Sequence, residues 1–240
     1  MSFSRLKQDA KTIIKQSKPN VILVALVFIA AVTLLNYLAN NVLTLKIREQ
    51  DVNNVMILME EGRYEYALTQ YEKMMPSPSA NLISVVIGFL QEVLSTGFII
   101  FLMHTVRKTG EACFANLLDG FAVILKLLLL LLLEAVFVFL WSMLLVIPGI
   151  IAAYRYSQAL YIMLDNPELS ALDCIRKSKE LMTGHKWERF VLDLSFLGWA
   201  ILSLVPLVRI WTEPYMETTK LLYYQQLAGI PYTTEIKEEL

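Results

Sequence analysis

Long apolar runs separated by short polar connections set the pattern of this chain. Apolar stretches cover Val21 to Leu45, Leu82 to Met103, Phe121 to Ile147 and Phe190 to Trp211. Each approaches or exceeds the roughly 20 residues that a helix needs to cross a ~30 Å hydrocarbon core. Two shorter apolar segments, Ile150 to Leu164 and Tyr215 to Leu227, sit behind Pro148 and Pro214. The pattern predicts an all-α, polytopic helical membrane protein with about six membrane segments, four full and two short. It divides the chain into a cytoplasmic amphipathic segment over 1–20, one helical membrane domain over 21–230 and a tail over 231–240. Inside that domain, 46–80 reads as an extracellular loop and 166–184 as a cytoplasmic amphipathic helix.

Composition agrees: 56% of the residues are hydrophobic and 18% charged, with a mean hydropathy of +0.53. Soluble domains carry about 25% charged residues. A net charge of -1 leaves no global field to attract nucleic acid. The distribution of charge sets the orientation. Arg5, Lys7, Lys11, Lys15 and Lys18 precede the first span and place the N-terminus in the cytoplasm under the positive-inside rule. The apolar run after them is too long for a cleaved signal, so it is expected to remain as an anchor. Arg107 and Lys108, and the basic residues between Asp165 and Arg189, are then also cytoplasmic. Cys113 and Cys174 fall in these segments, where reduced, inert thiols are expected.

If Phe121 to Ile147 leaves the cytoplasm and Asp165 is back in it, Ile150 to Leu164 must return across the bilayer. Pro148 and Gly149 read as the hairpin turn, because proline lacks a backbone donor and glycine admits positive φ. Fifteen residues of helix rise only about 22 Å, so the tip is expected to be submerged. Gly149, Ala153 and Ser157 form a small-residue face on which a neighbouring backbone could pack. In the connection that follows, Asn166 with Pro167, and Ser170 with Asp173, are alternative helix starts, and Gly184 is a stop. Leu172, Ile175 and Met182 lie on or near one face. In the first loop, Gly62, Tyr64, Ala67, Leu68, Tyr71 and Pro76 resemble one helix of a tetratricopeptide repeat, expected here as an amphipathic helix.

Ionisable residues inside membrane spans are costly and are functional candidates by default. Lys126, Asp193 and Arg209 can reach an interface; Glu92, Glu134 and Arg155 cannot do so easily. Arg155 is expected to pair with Glu92 or with Glu134, either to fix helix register or to line a polar pathway. No HExxH, GxSxG, Walker or CxxC pattern occurs in the sequence, so no catalytic residue, cofactor or metal site is predicted. His104 and His185 are expected at helix ends as solvated imidazoles.

The stretches TGEACFANLLDGF, LWSMLLVIPGIIAAYRYSQALYIMLDNPELSALDCIRKSKELMTGHKWERFVLDLSFLGW and EPYMETTKLLYY resemble the bacterial membrane-protein family called domain of unknown function 975. The resemblance runs from about Gly97 to Leu227. Its most specific pieces are Ile147-Pro148-Gly149, Asp165-Asn166-Pro167, Gly184-His185-Lys186-Trp187, Leu194-Ser195-Phe196, Gly198-Trp199 and Pro214-Tyr215. The family implies a multi-pass helical protein of the bacterial plasma membrane and assigns no activity. A more distant similarity is to the membrane domain attached to some glycerophosphodiester phosphodiesterases, whose hydrolase domain has no counterpart here. The expected function is non-enzymatic, acting through membrane lipids, another membrane protein or a second copy of the chain, in the cell envelope or as a transporter accessory, with no nucleic-acid partner. A small transporter or channel lined by Glu92, Glu134 and Arg155 is the alternative.

Overall fold

The computed structural model describes residues 2–43, 49–75, 78–109 and 112–232, and among them every regular element is helical. In chain order these are α1 (Phe3–Gln16), α2 (Val21–Leu43), α3 (Glu49–Glu60), α4 (Tyr64–Met74), α5 (Pro78–Arg107), a 3-10 helix (Phe114–Val123), α6 (Ile124–Leu144), α7 (Val146–Tyr156), α8 (Ala159–Asp165), α9 (Ala171–Leu181), α10 (Lys186–Leu194), α11 (Leu197–Leu202) and α12 (Pro206–Ala228). Three stretches are long and apolar enough to cross a membrane: Val21–Asn41, Ala80–Arg107 and Phe114–Leu144. The chain divides into two compact units, one formed by Met1–Ala30 and Val93–Leu240, the other by Ala31–Glu92.

In the smaller unit, Gln91 Nε2 donates to Asn36 Oδ1 at 2.8 Å, joining α5 to α2. The loop between these helices holds a helical hairpin rather than one helix. Gly62, at φ +72°, ends α3. The Arg63 and Gly62 amides donate back to the Leu58 and Met59 carbonyls at 2.9 and 3.1 Å, the paired bonds of a Schellman cap. Val55 and Ala67 are buried within the hairpin, while Tyr64, Leu68 and Tyr71 are exposed. Pro76, the last residue of the repeat-like pattern, lies outside the described residues.

In the larger unit the central contact is backbone on backbone. The 3-10 helix lies against α5 so closely that a Cβ on Gly97 would overlap the Leu117 carbonyl, and one on Gly120 the Val93 carbonyl. Beside this contact Phe28 of α2 stacks on Phe98 of α5 at 4.8 Å. The periodic burial of Leu6, Ala10 and Ile13 seats α1 on α12. There Lys7 Nζ donates to the Ser195 carbonyl at 3.3 Å, Lys11 stands over the Tyr215 ring, and Tyr232 Oη donates to Asp9 at 3.1 Å.

The first hairpin turns earlier than the sequence predicts. Leu145, extended at φ -164° and ψ 153°, separates α6 from α7, and Pro148 and Gly149 fall in the first turn of α7. Proline is at home there, because amides of a first turn have no helical partner to lose. Gly149 is needed for proximity rather than positive φ, since an added Cβ would overlap the Ser142 side chain of α6. With the reversal at Leu145, the return arm of α7 and α8 runs over 146–165, about 30 Å of helical rise, against 21 residues in α6. The fifteen-residue arm behind the expectation of a submerged tip therefore does not hold.

The return arm breaks once, at Ser157–Gln158, and α9 fills the break. Ser178, fully buried, accepts from the Gln158 amide at 3.1 Å and donates to the Arg155 carbonyl at 2.9 Å. A side chain thereby replaces backbone bonds that the interruption removes. The predicted helix over 166–184 is shorter, Ala171–Leu181. Ser170 is its cap, accepting from the Asp173 amide at 3.2 Å, whereas Asn166 closes α8. Ile175 and Met182 are buried in the larger unit and Leu172 is exposed.

Phe190 to Trp211, predicted as one full span, is divided among α10, α11 and α12. Val205, extended ahead of Pro206, takes the conformation that proline imposes on its predecessor. The chain folds back here: Ser203 Oγ lies 2.6 Å from Thr212 Oγ1, and Trp199 meets Tyr215 edge-on at 5.5 Å. Pro214, predicted as a break, is carried inside the continuous helix α12.

Two outcomes follow. Gly120→Ala is expected to destabilise the protein by about 3 kcal/mol through overpacking, whereas Gly198→Ala, with open space around it, should be neutral or slightly stabilising. Thermal scans in detergent compare them, and similar melting temperatures would refute the close approach of the 3-10 helix and α5. Cys174 is buried and Cys113 exposed, and burial raises the Cys174 thiol pKa. Maleimide should label Cys113 in the folded protein and Cys174 only after unfolding.

Candidate functional site

Charged and polar groups from four elements converge where α8 ends. Asp165, the last residue of α8, is only 11% exposed at its side chain. Arg107, at the end of α5, grips it with two bonds: Nη1 to Oδ1 at 2.6 Å and Nη2 to Oδ2 at 2.9 Å. The Tyr224 hydroxyl of α12 donates to Oδ2 at 2.7 Å, and its ring stacks on Tyr161 of α8 at 5.1 Å. Lys126, early in α6, donates to the Pro167 and Asn166 carbonyls at 2.9 and 3.4 Å, while Asn166 Nδ2 turns back to the Ile162 carbonyl at 3.0 Å. Planar guanidinium against planar carboxylate gives the strongest of the ordinary polar contacts. The chemistry is that of a tie: one carboxylate held by one guanidinium and one phenol.

A second run of the family-like pattern, Gly184-His185-Lys186-Trp187, is held by the neighbouring tyrosine. Tyr223 Oη donates to the His185 carbonyl at 3.1 Å, and Arg189 of α10 lies 5.8 Å from the Tyr223 ring centre. Consecutive helical residues point about 100° apart, so Tyr223 and Tyr224 of α12 reach two separate motifs. Gly184 is left-handed at φ +85°. His185 Nδ1 lies 2.9 Å from Glu188, Lys186 opens α10, and the exposed Trp187 stacks on Phe190 at 5.1 Å.

The intramembrane candidates are not drawn into this cluster. Arg155, half-buried in α7, lies over the Trp141 ring at 5.9 Å and meets α9 through its carbonyl. Glu134, half-buried in α6, has no hydrogen bond or ion pair among the described residues. The hairpin register, with Phe137 beside Tyr156 and Gly149 beside Ser142, places Glu134 opposite the start of α8 rather than opposite Arg155. Glu92 is the last residue of the smaller unit and is exposed. Of the small-residue face, Gly149 is buried, Ser157 half-buried and Ala153 exposed, and the buried positions of α7 are Gly149, Ala152 and Tyr156.

Sequence reasoning missed Arg107, Lys126, Tyr223 and Tyr224 as members of a site. By position along the chain Lys126 reads as reaching an interface, and Arg107 reads only as a mark of orientation. The available signal was the Tyr-Tyr pair in a polar part of α12: a buried phenol needs a hydrogen-bond partner, and both are at most 2% exposed.

The family model described as Protein of unknown function (DUF975) matches residues 142–230. The chain is similar to that family over both hairpin reversals, Asp165-Asn166-Pro167, His185, Tyr223 and Tyr224, whereas TGEACFANLLDGF, Arg107 and Lys126 precede the matched region. No curated protein and no solved structure matched the chain.

Asp165→Asn is expected to cost about 3 kcal/mol, because it leaves the Arg107 guanidinium partly buried without its counter-charge. Tyr224→Phe should cost about 1 kcal/mol, the worth of one hydrogen bond. Thermal melts of the two variants check the order, and a larger loss for Tyr224→Phe would remove Asp165 from the centre of the tie.

Proposed function

We propose that the protein is a non-enzymatic, multi-pass protein of a bacterial plasma membrane that acts through lipid or protein partners, in envelope homeostasis or as an accessory to a transporter. In this reading both termini are cytoplasmic and six segments cross the membrane: α2, α5, α6, the arm of α7 and α8, the arm of α10 and α11, and α12. The support for it is the tie at Asp165. Arg107 closes one candidate span, Lys126 stands in the first turn of α6 within another, and both are bound to the end of the return arm. The ends of α5 and α8 are thus at one level with the start of α6, as a crossing hairpin requires. Polar side chains are used here to join helices.

The exposed apolar side chains fit lipid contact. Leu140, Leu144, Val146 and Ile150 around the first reversal, and Leu202, Leu204 and Leu207 around the second, are all at least half exposed. Two hairpins that present such tips suit hydrocarbon or a greasy partner helix, a second copy of the chain included.

A second reading, a small transporter or channel with a polar pathway at Glu92, Glu134 and Arg155, draws on one observation. Glu134 sits within a candidate span without an ionic partner among the described residues, as a carboxylate that binds a proton or cation would. Purified protein in liposomes distinguishes the two. Proton or cation flux no greater than in protein-free liposomes is expected, and flux abolished by Glu92→Gln and Glu134→Gln would establish the transporter instead.

A further inference from the structure

Beside the Arg107–Asp165 pair lies an open cavity of about 600 Å³, within the roughly 300–1,000 Å³ of small-molecule sites. It is bounded by the end of α5, the end of the 3-10 helix, the first turn of α6 and the end of α8, and the end of a spanning helix is where lipid headgroups meet it. Its apolar wall includes Ile100, Met103, Val123 and Leu125, and its polar lining is made by His104, Arg107, Thr109 and Lys126 together with Asp165. From this juxtaposition we propose that the cavity binds the phosphate of an anionic phospholipid, with the headgroup on Lys126 and Arg107 and the acyl chains along the apolar wall. The proposal rests on the reading that the protein acts through lipid partners, and it names the lipid class and its site.

Charge favours an anion. Asp165 also borders the cavity, but both its oxygens are taken by Arg107 and one also by Tyr224, so its charge is already balanced. Lys126 is different. Its two acceptors are the neutral carbonyls of Asn166 and Pro167, and among the described residues no carboxylate pairs with it. An ammonium has three donors, so one remains for a ligand. Arg107 adds Nε, which is buried and has no hydrogen-bond partner among the described residues. The Thr109 hydroxyl, 2.9 Å from His104 Nδ1, completes a polar rim. Basic pockets between membrane helices on the cytoplasmic side are suited to anionic headgroups.

The apolar wall separates a lipid from free phosphate. Leu125 is 80% exposed and adjoins Lys126 in sequence. An acyl chain attached to the phosphate would cover it, and inorganic phosphate would leave it bare.

The test is native mass spectrometry of the full chain in detergent, with phosphatidylglycerol and diacylglycerol at equal concentration and inorganic phosphate as competitor. Phosphatidylglycerol should be retained over diacylglycerol by roughly tenfold, the worth of one charge-assisted hydrogen bond. Lys126→Gln should remove most of that preference and Lys126→Arg keep it, with thermal scans checking that both variants are folded. Equal retention of the two lipids, or an unchanged preference in folded Lys126→Gln, overturns the site. Displacement of phosphatidylglycerol by inorganic phosphate at comparable concentration overturns the lipid assignment in favour of a free anion. If Lys126→Gln fails to fold, Val123→Asp tests the same cavity, and a preference surviving a carboxylate placed there sinks the proposal. Carboxylate-dependent flux through liposomes with the lipid preference intact would overturn the partner reading and leave this site standing.

Discussion

One carboxylate ties α5, α8 and α12 together. Asp165 receives a two-pronged guanidinium from α5 and a phenol from α12, and these donors lie 58 and 59 residues away along the chain. Short connections cannot set the depth of a return arm relative to another helix; a directional contact at its end can. Lys126, bonded to the two carbonyls just beyond Asp165, fixes the same arm to its own hairpin partner. The level of α8 is thus specified from both sides, and the backbone approach of the 3-10 helix to α5 at Gly97 and Gly120 sets where α6 begins.

The two hairpins solve one steric problem in related ways. Each has an extended residue at the reversal, Leu145 or Val205, with a proline in the first turn of the arm that follows. They differ in how the returning arm meets its surroundings. The first breaks at Ser157–Gln158 and is completed by Ser178 of α9. The second passes through Pro214 unbroken, where Tyr215 packs edge-on to Phe196 and Trp199. Packing around a buried proline can maintain a helix that propensity alone would interrupt.

Hydropathy made the all-helical class and three of the spans legible, because burial in lipid needs only composition over a length. It failed for Phe190 to Trp211, where composition is uniform but Ser195, Ser203 and Pro206 divide the backbone into separate helices. The first reversal was legible as an event and misplaced by a few residues: Pro148 marks the neighbourhood of a turn, while Gly149 answers to Ser142 on the facing helix, a residue that no local pattern names. Ser170 was readable as a cap because its partner is three positions away. Arg107, Lys126 and Tyr224 were not readable as a group, since nothing local distinguishes an arginine that will meet a distant aspartate from one that faces solvent. The rule that charges within spans are the functional ones drew attention to Glu92, Glu134 and Arg155 and away from the span ends, where the polar cluster lies.

The adjacency of Tyr223 and Tyr224 has a consequence for biogenesis. Both phenols belong to α12, the last described helix to leave the ribosome, and they close onto Asp165 and the His185 carbonyl, made long before. Until α12 emerges, Asp165 lacks its phenol donor and the His185 carbonyl lacks the Tyr223 hydroxyl. Helix α1, made well before it, also waits for α12 as its packing surface. Helix α12 thus locks segments that translation produces at widely separated times: a nascent chain stopped before it keeps the first hairpin with its Arg107 and Lys126 bonds but has neither the second hairpin nor the two tyrosine contacts.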